Sequence, residues 1–172
     1  MSWKHVLPVL FLAPAMAFAQ APSDPQIAGI VVTANQIDID AGKLAKASSK
    51  TKEVQDFAQQ MITDHTAVNK QAAALAQKLG VKPEESDTSK SLKQAAADAT
   101  KKLKGLKGTQ FDKAYVDNEV EYHQQVLDAI DKVLIPSAQN DELKALIVKV
   151  RPAIATHLEH ARHLQASLGK KK

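Results

Sequence analysis

The chain has 172 residues, 44% of them hydrophobic and 24% charged, and a formal net charge of +4. That balance suits one ordinary soluble domain, argues against wholesale disorder, and is too weakly basic to indicate a nucleic-acid partner. The absence of cysteine excludes disulfides, thiol catalysis, thiolate zinc sites and Cys-ligated iron–sulfur clusters, and 4% aromatics leave little for a stacking platform.

Residues 1–19 read as a secretory signal peptide. Lys4 and His5 give a basic start, Val6 to Ala15 an apolar core, and Ala17-Phe18-Ala19 a small-x-small cleavage pattern. The apolar run is shorter than the about 20 residues a transmembrane helix needs. No second run of spanning length follows, so no transmembrane span is expected after signal removal. The expected location is periplasmic or secreted. Residues 20–26 would be an N-terminal extension, 27–168 a helical bundle and 169–172 a basic tail.

The first helical stretch runs from Pro25 to Ser48, with Ile27, Ile30, Val31, Ala34, Ile37, Ala41, Leu44 and Ala45 on one face. The second runs from Thr51 to Leu79 along Val54, Phe57, Ala58, Met61, His65, Val68, Ala72 and Leu75, and Gly80 stops it. Pro83 to Thr88 reads as a linker and Ser91 to Leu106 as a short Lys- and Ala-rich helix. A third long stretch runs from Thr109 to Ile135, ended by Pro136. The last runs from Ser137 to Leu168, with Leu143, Ile147, Val150, Ile154, His157, Ala161 and Leu164 forming a packing seam. Pro152 should bend it or leave a carbonyl to water. No two-residue alternation points to a sheet. The expected fold is all-α: an antiparallel four-helix bundle with an additional short helix between the two hairpins.

Each long stretch carries a polar residue on or beside its apolar stripe: Asp38, His65, His123 and His157. Counted from a hairpin turn near Lys50, Asp38 and His65 stand at roughly 18 and 22 Å, at 1.5 Å per residue. Counted from a turn near Ser137, His123 and His157 stand at roughly 21 and 30 Å. A shared layer would suit a divalent transition metal, since imidazole and carboxylate are its ligands and bundles build metal centres across facing helices. The alternative is a buried hydrogen-bond network that fixes helix register. Asp64, beside His65, has an open role. His160 and His163 rotate away from His157 and read as surface residues, as do Lys101, Lys102, Lys104 and Lys107. There is no Gly-rich phosphate loop, H-E-x-x-H pair or serine nucleophile elbow.

Several segments carry a resemblance. They are Asp38-Ile39-Asp40-Ala41-Gly42-Lys43-Leu44-Ala45, Phe57-Ala58-Gln59-Gln60-Met61-Ile62-Thr63-Asp64-His65, Phe111-Asp112-Lys113-Ala114-Tyr115-Val116 with His123, and Arg151-Pro152 with His157-Leu158. In this order they resemble a ferritin-like domain-of-unknown-function family of exported bacterial proteins, often labelled predicted outer membrane proteins. The resemblance spans about Ile27 to Leu168 and implies a ferritin-like bundle outside the cytoplasm, without an assigned activity. Its motif positions are Asp38, Asp64, His65, His123 and His157, with Asp38 standing where Glu is expected. Usual di-iron chemistry is disfavoured, because Glu119 to His123 and Glu159 to His163 are spaced by four rather than as Glu-x-x-His.

Two functional expectations stay open: a metal-binding or envelope stress-related bundle, and a structural protein that meets an envelope component. Enzyme chemistry would need an open coordination position and a substrate cavity, of which the sequence gives no sign.

Overall fold

The computed structural model describes residues 21–170. The signal peptide expected at 1–19 and the end of the basic tail lie outside them. Five helices follow in order: α1 (Asp24–Ser48), α2 (Lys52–Leu79), α3 (Asp87–Lys104), α4 (Gly108–Ala129) and α5 (Asp141–Lys170). Among the described residues there is no strand. α1 and α2 form one hairpin, α4 and α5 the other, and α1 against α4 and α2 against α5 close a helical bundle.

Local chemistry sets the boundaries. Ser23 caps α1 in a capping box with Gln26, and Pro25 occupies the first turn, so the helix starts inside the stretch read as an extension. Asp24 also accepts from the backbone N–H groups of Gln139 and Asn140, both at 2.9 Å, tying α1 to the α4–α5 turn. Thr51 precedes α2, but its hydroxyl donates to Asp112 on α4 instead of capping its own helix. Gly80 ends α2 at φ 63°, the left-handed conformation that glycine adopts without strain.

Three expectations need correction. α3 begins at Asp87, earlier than Ser91, because Ser86 and Ser89 exchange capping hydrogen bonds. Pro136 does not end the third long helix. α4 passes into a π-helical turn, Ile130–Leu134, and a last helical turn, Ile135–Ser137, a widening that accommodates the missing Pro136 N–H. α5 therefore starts at Asp141, where the Asn140 side chain accepts from the N–H groups of Glu142 and Leu143, and it runs through Gly169 to Lys170. Pro152 sits within α5 on its exposed side, near Val148, which is 50% exposed, so the carbonyl it frees faces water.

The core has two parts. At one end Phe57, Met61, Phe111, Tyr115 and Val116 pack with Ala45, Val54 and Ala161. At the other, Ile27, Ile30, Leu127, Ile130, Leu134, Leu143, Ile147 and Ile154 make an aliphatic cluster. Two glycines allow close approach of the backbone. A Cβ on Gly42 would meet the Ala58 carbonyl oxygen at 2.9 Å, where α1 crosses α2. A Cβ on Gly29 would meet the Glu84 carbonyl oxygen at 1.9 Å, where the α2–α3 linker crosses α1.

Candidate functional site

Between the two core clusters lies a buried polar layer. α1 supplies Asn35 and Asp38, α2 supplies His65, α4 supplies Glu119 and His123, and α5 supplies His157, all buried. Helical periodicity explains the grouping: Asn35 and Asp38 are three apart, and Glu119 and His123 four apart, so each pair shares a face. The heights now agree on the second hairpin. Counted from Gln139, in the observed turn, His123 is about 16 residues back and His157 about 18 forward, roughly 24 and 27 Å.

The histidines form a triangle, with ring centroids 5.7 Å apart for His65–His123, 5.2 Å for His65–His157 and 5.5 Å for His123–His157. Each is held from behind through one nitrogen. Asn35 donates its amide to the Val31 carbonyl at 2.8 Å, which leaves its oxygen to accept from His65 Nδ1 at 2.7 Å. His123 Nδ1 donates to the Glu119 carbonyl at 3.0 Å. His157 Nε2 donates to the Asp64 carboxylate at 2.9 Å. These acceptors require a hydrogen on the nitrogen they face, so in the neutral rings His65 Nε2, His123 Nε2 and His157 Nδ1 carry bare lone pairs. All three are buried without a hydrogen-bond partner. One ligand nitrogen from each histidine lies within 4.8 Å of the others.

Burial reinforces this state. Desolvation, and then the neighbouring imidazoles His123 and His157, push His65 down to about 3. Desolvation pushes His123 down to about 4 against its backbone hydrogen bond, and lowers His157 against the Asp64 carboxylate. The carboxyl groups move the other way. Desolvation raises Glu119 to about 8, and raises Asp38, which the facing Glu119 raises further. The Tyr115 hydroxyl faces Glu119 and is raised by the same burial, and then by the charges of Glu119 and Asp38.

Asp38, Glu119 and His123 form a second group of potential ligands within the same 4.8 Å limit. Asp38 Oδ2 stands 3.4 Å from the bare His65 Nε2, two acceptors that need a proton or a cation between them. His123 belongs to both groups, so the three histidines and two carboxyls are one continuous cluster.

The structure thus brings together all four residues singled out from the sequence, Asp38, His65, His123 and His157. Asp64 lies behind His157 as its hydrogen-bond acceptor. His160 stays outside the cluster, against Gln60 and the edge of Phe57. Sequence reasoning missed Asn35 and passed over Glu119. Their signal is helical spacing to Asp38 and His123, and it becomes legible only once those neighbours are known to face inward.

Fold and site define a helical-bundle protein with a buried histidine–carboxylate cluster at mid-height. The family described as Domain of unknown function (DUF4142) matches residues 11–164, and the chain belongs to that family. No curated protein and no solved structure matches it.

Proposed function

We propose that this is an exported, ferritin-like metal-binding bundle in which His65, His123 and His157 hold one divalent transition metal. Asp38 and Glu119 form an adjoining group of potential ligands with His123 and can complete the set. The observation that carries the reading is three buried histidines that each bring a ligand nitrogen within 4.8 Å of the others, each ring held through one nitrogen by a different acceptor and carrying a second, unpartnered nitrogen. Metal-ligating histidines are held in this way, their second nitrogen donating to a carbonyl or carboxylate. Rings held neutral by burial need lose no proton to bind a cation. Imidazole with carboxylate suits zinc, copper, nickel or iron, and three protein nitrogens leave a position open.

The alternative, a purely structural hydrogen-bond layer, accounts for fewer atoms. A protonated Asp38 can satisfy the bare nitrogen of His65. It leaves His123 Nε2 and His157 Nδ1 without donors, and buried unpartnered acceptors cost about 1–3 kcal/mol each.

The test is metal content by mass spectrometry on purified wild-type protein and on His65→Ala and His157→Ala. One equivalent of a transition metal in the wild type, lost in both variants, is the expected result. A metal-free wild type whose Tm ignores added zinc, copper, nickel and iron would contradict the reading. Export through residues 1–19 predicts that protein recovered from an expressing bacterium begins at Gln20, read by intact mass. Retention of Met1 would overturn it.

A further inference from the structure

The exposed lysines gather at one end of the bundle. α1, α3 and α5 finish, and α2 and α4 begin, at the end where Phe57, Phe111 and Tyr115 pack. The helix ends at this aromatic end, residues 41–56, 99–113 and 160–170, hold eleven Lys and Arg against three Asp and Glu. One of those three acids, Asp112, is buried. The opposite, aliphatic end, residues 21–37, 70–95 and 128–150, holds eight of each. The densest run is residues 99–111, which carry Lys101, Lys102, Lys104 and Lys107, all exposed, and no acid.

Helix stability accounts for only part of this gathering. Lysines in the last turn of a helix complement its dipole, which covers Lys101, Lys102 and Lys104 at the end of α3. Lys107 is different. It immediately precedes α4, where the dipole disfavours a cation, and α4 has neither a side-chain cap nor an acid in its first turn. The three helices that start at the aliphatic end are built the opposite way. Ser23, Ser86 and Asn140 cap them, and Asp24, Asp87 and Asp141 open them. The aromatic end thus keeps a positive potential that its own helices do not need, and such a field favours an anionic partner.

The chemistry of this end narrows the partner. Ten of its eleven cations are lysine, and its one arginine, Arg162, is bound to Glu159 and Gln124. Lysine meets phosphate as a point charge, without the planar fork of arginine. Phe57, Phe111 and Tyr115 are buried, so they offer no ring for base stacking. The exposed large apolar side chains among the described residues, Val133 and Val148, belong to the aliphatic end. The aromatic end therefore offers charge alone, spread over the ends of five helices. An anionic bilayer presents phosphate in the matching way, as a continuous surface potential that attracts nearby lysines.

We propose that the aromatic end of the bundle docks on an anionic phospholipid bilayer, through Lys101, Lys102, Lys104 and Lys107 with the lysines of the neighbouring helix ends. Attachment is electrostatic and peripheral, because no large apolar side chain is exposed at this end to enter hydrocarbon. It uses no residue of the histidine layer and stands independently of the metal reading.

Co-sedimentation with vesicles tests it, using the purified chain from Gln20 to Lys172, which keeps every residue of the bundle. The expected result is binding to vesicles of phosphatidylcholine with one part in three phosphatidylglycerol, at least about tenfold tighter than to phosphatidylcholine alone. Binding should be lost between about 0.1 M and about 1 M salt, as the screening length falls from about 10 to about 3 Å. Joint substitution Lys101→Gln, Lys102→Gln, Lys104→Gln and Lys107→Gln should weaken binding at least about tenfold and keep Tm within about 2 °C. Lys70→Gln, Lys78→Gln, Lys132→Gln and Lys149→Gln, which remove the same charge from the aliphatic end, should leave binding within about twofold of the wild type. If the first variant fails to fold, amide NMR of the wild type with anionic nanodiscs decides: lines of the α3–α4 turn must broaden ahead of those around Gln139. Equal binding to uncharged vesicles, salt-resistant binding, equal loss in the two variants, or broadening led by Gln139 would overturn the proposal. So would duplex DNA that displaces the chain from the vesicles at equal phosphate, which would make nucleic acid the partner of this end.

Discussion

The two ends of the bundle are built from different side chains and pack differently. Below the histidine layer, Phe57, Phe111 and Tyr115 interlock, with Phe57 edge-on to Tyr115 at 6.3 Å and Phe111 stacked on it at the same distance. Above it, the walls are aliphatic, α4 widens into a π turn, and a cavity remains against Asp38 and His65. The aromatic end has rigid rings that fill volume and fix helix spacing. The aliphatic end leaves a cavity of about 170 Å³ unfilled. π turns inside helices occur frequently at functional sites, and this one borders the cavity through Ile130, Val133 and Leu134.

The contrast can be broken by truncation. Phe57→Ala should cost about 3–5 kcal/mol in urea unfolding, because a fully buried ring leaves a hole that rigid neighbours cannot fill. Ile154→Ala, beside space that already exists, should fall near the low end of its class, about 2 kcal/mol. Equal losses would erase the distinction between the ends.

Asp24→Ala comes next. It removes two hydrogen bonds from a carboxylate to the α4–α5 turn, worth about 1.5–3 kcal/mol together, and should loosen the aliphatic end first in hydrogen exchange. Uniform loss of protection over both ends would contradict it.

The polar layer sharpens the comparison through pH. Glu119 is raised from 4.5 to about 8, so the folded protein binds the extra proton and its stability falls as pH rises through that window. His65 and His123 are lowered from 6.5 to about 3 and about 4, so the unfolded chain binds the extra protons and stability falls as pH drops below 6.5. Metal-free protein should therefore be most stable in mildly acidic solution. Glu119→Gln should remove at least about 1 kcal/mol of the loss on the alkaline side. Thermal melts from pH 4 to 9 read this, and an unchanged alkaline slope in the variant would refute it.

The smallest effect belongs to the surface. Arg151 forms a bidentate pair with Asp131 of the π turn, both contacts at 2.6 Å, at the exposed rim of the aliphatic end. Arg151→Ala should shift Tm by under about 2 °C, since solvent screens the pair. A larger shift would mean that the pair holds the π turn in place.

The helices were legible in the sequence because apolar residues recur at three and four along each one, and the site residues because Asp38, His65, His123 and His157 interrupt those stripes. What escaped had no one-dimensional signal. A π turn adds a residue without changing composition, and Pro136 reads as a stop whether or not the helix widens before it. Ser86 and Ser89 resemble linker until their mutual capping is seen. Asp64 acquires its role from His157, 93 residues away in sequence. The cavity arises from helices meeting, and no single stripe records it.

The most direct test of the histidine cluster is ring-nitrogen NMR of the 15N-labelled, metal-free protein at neutral pH, followed by addition of one equivalent of zinc. The account predicts three neutral imidazoles, with protons on His65 Nδ1, His123 Nδ1 and His157 Nε2, and zinc-induced shifts at the opposite nitrogen of each. Charged rings, reversed tautomers, or spectra unmoved by zinc would contradict it.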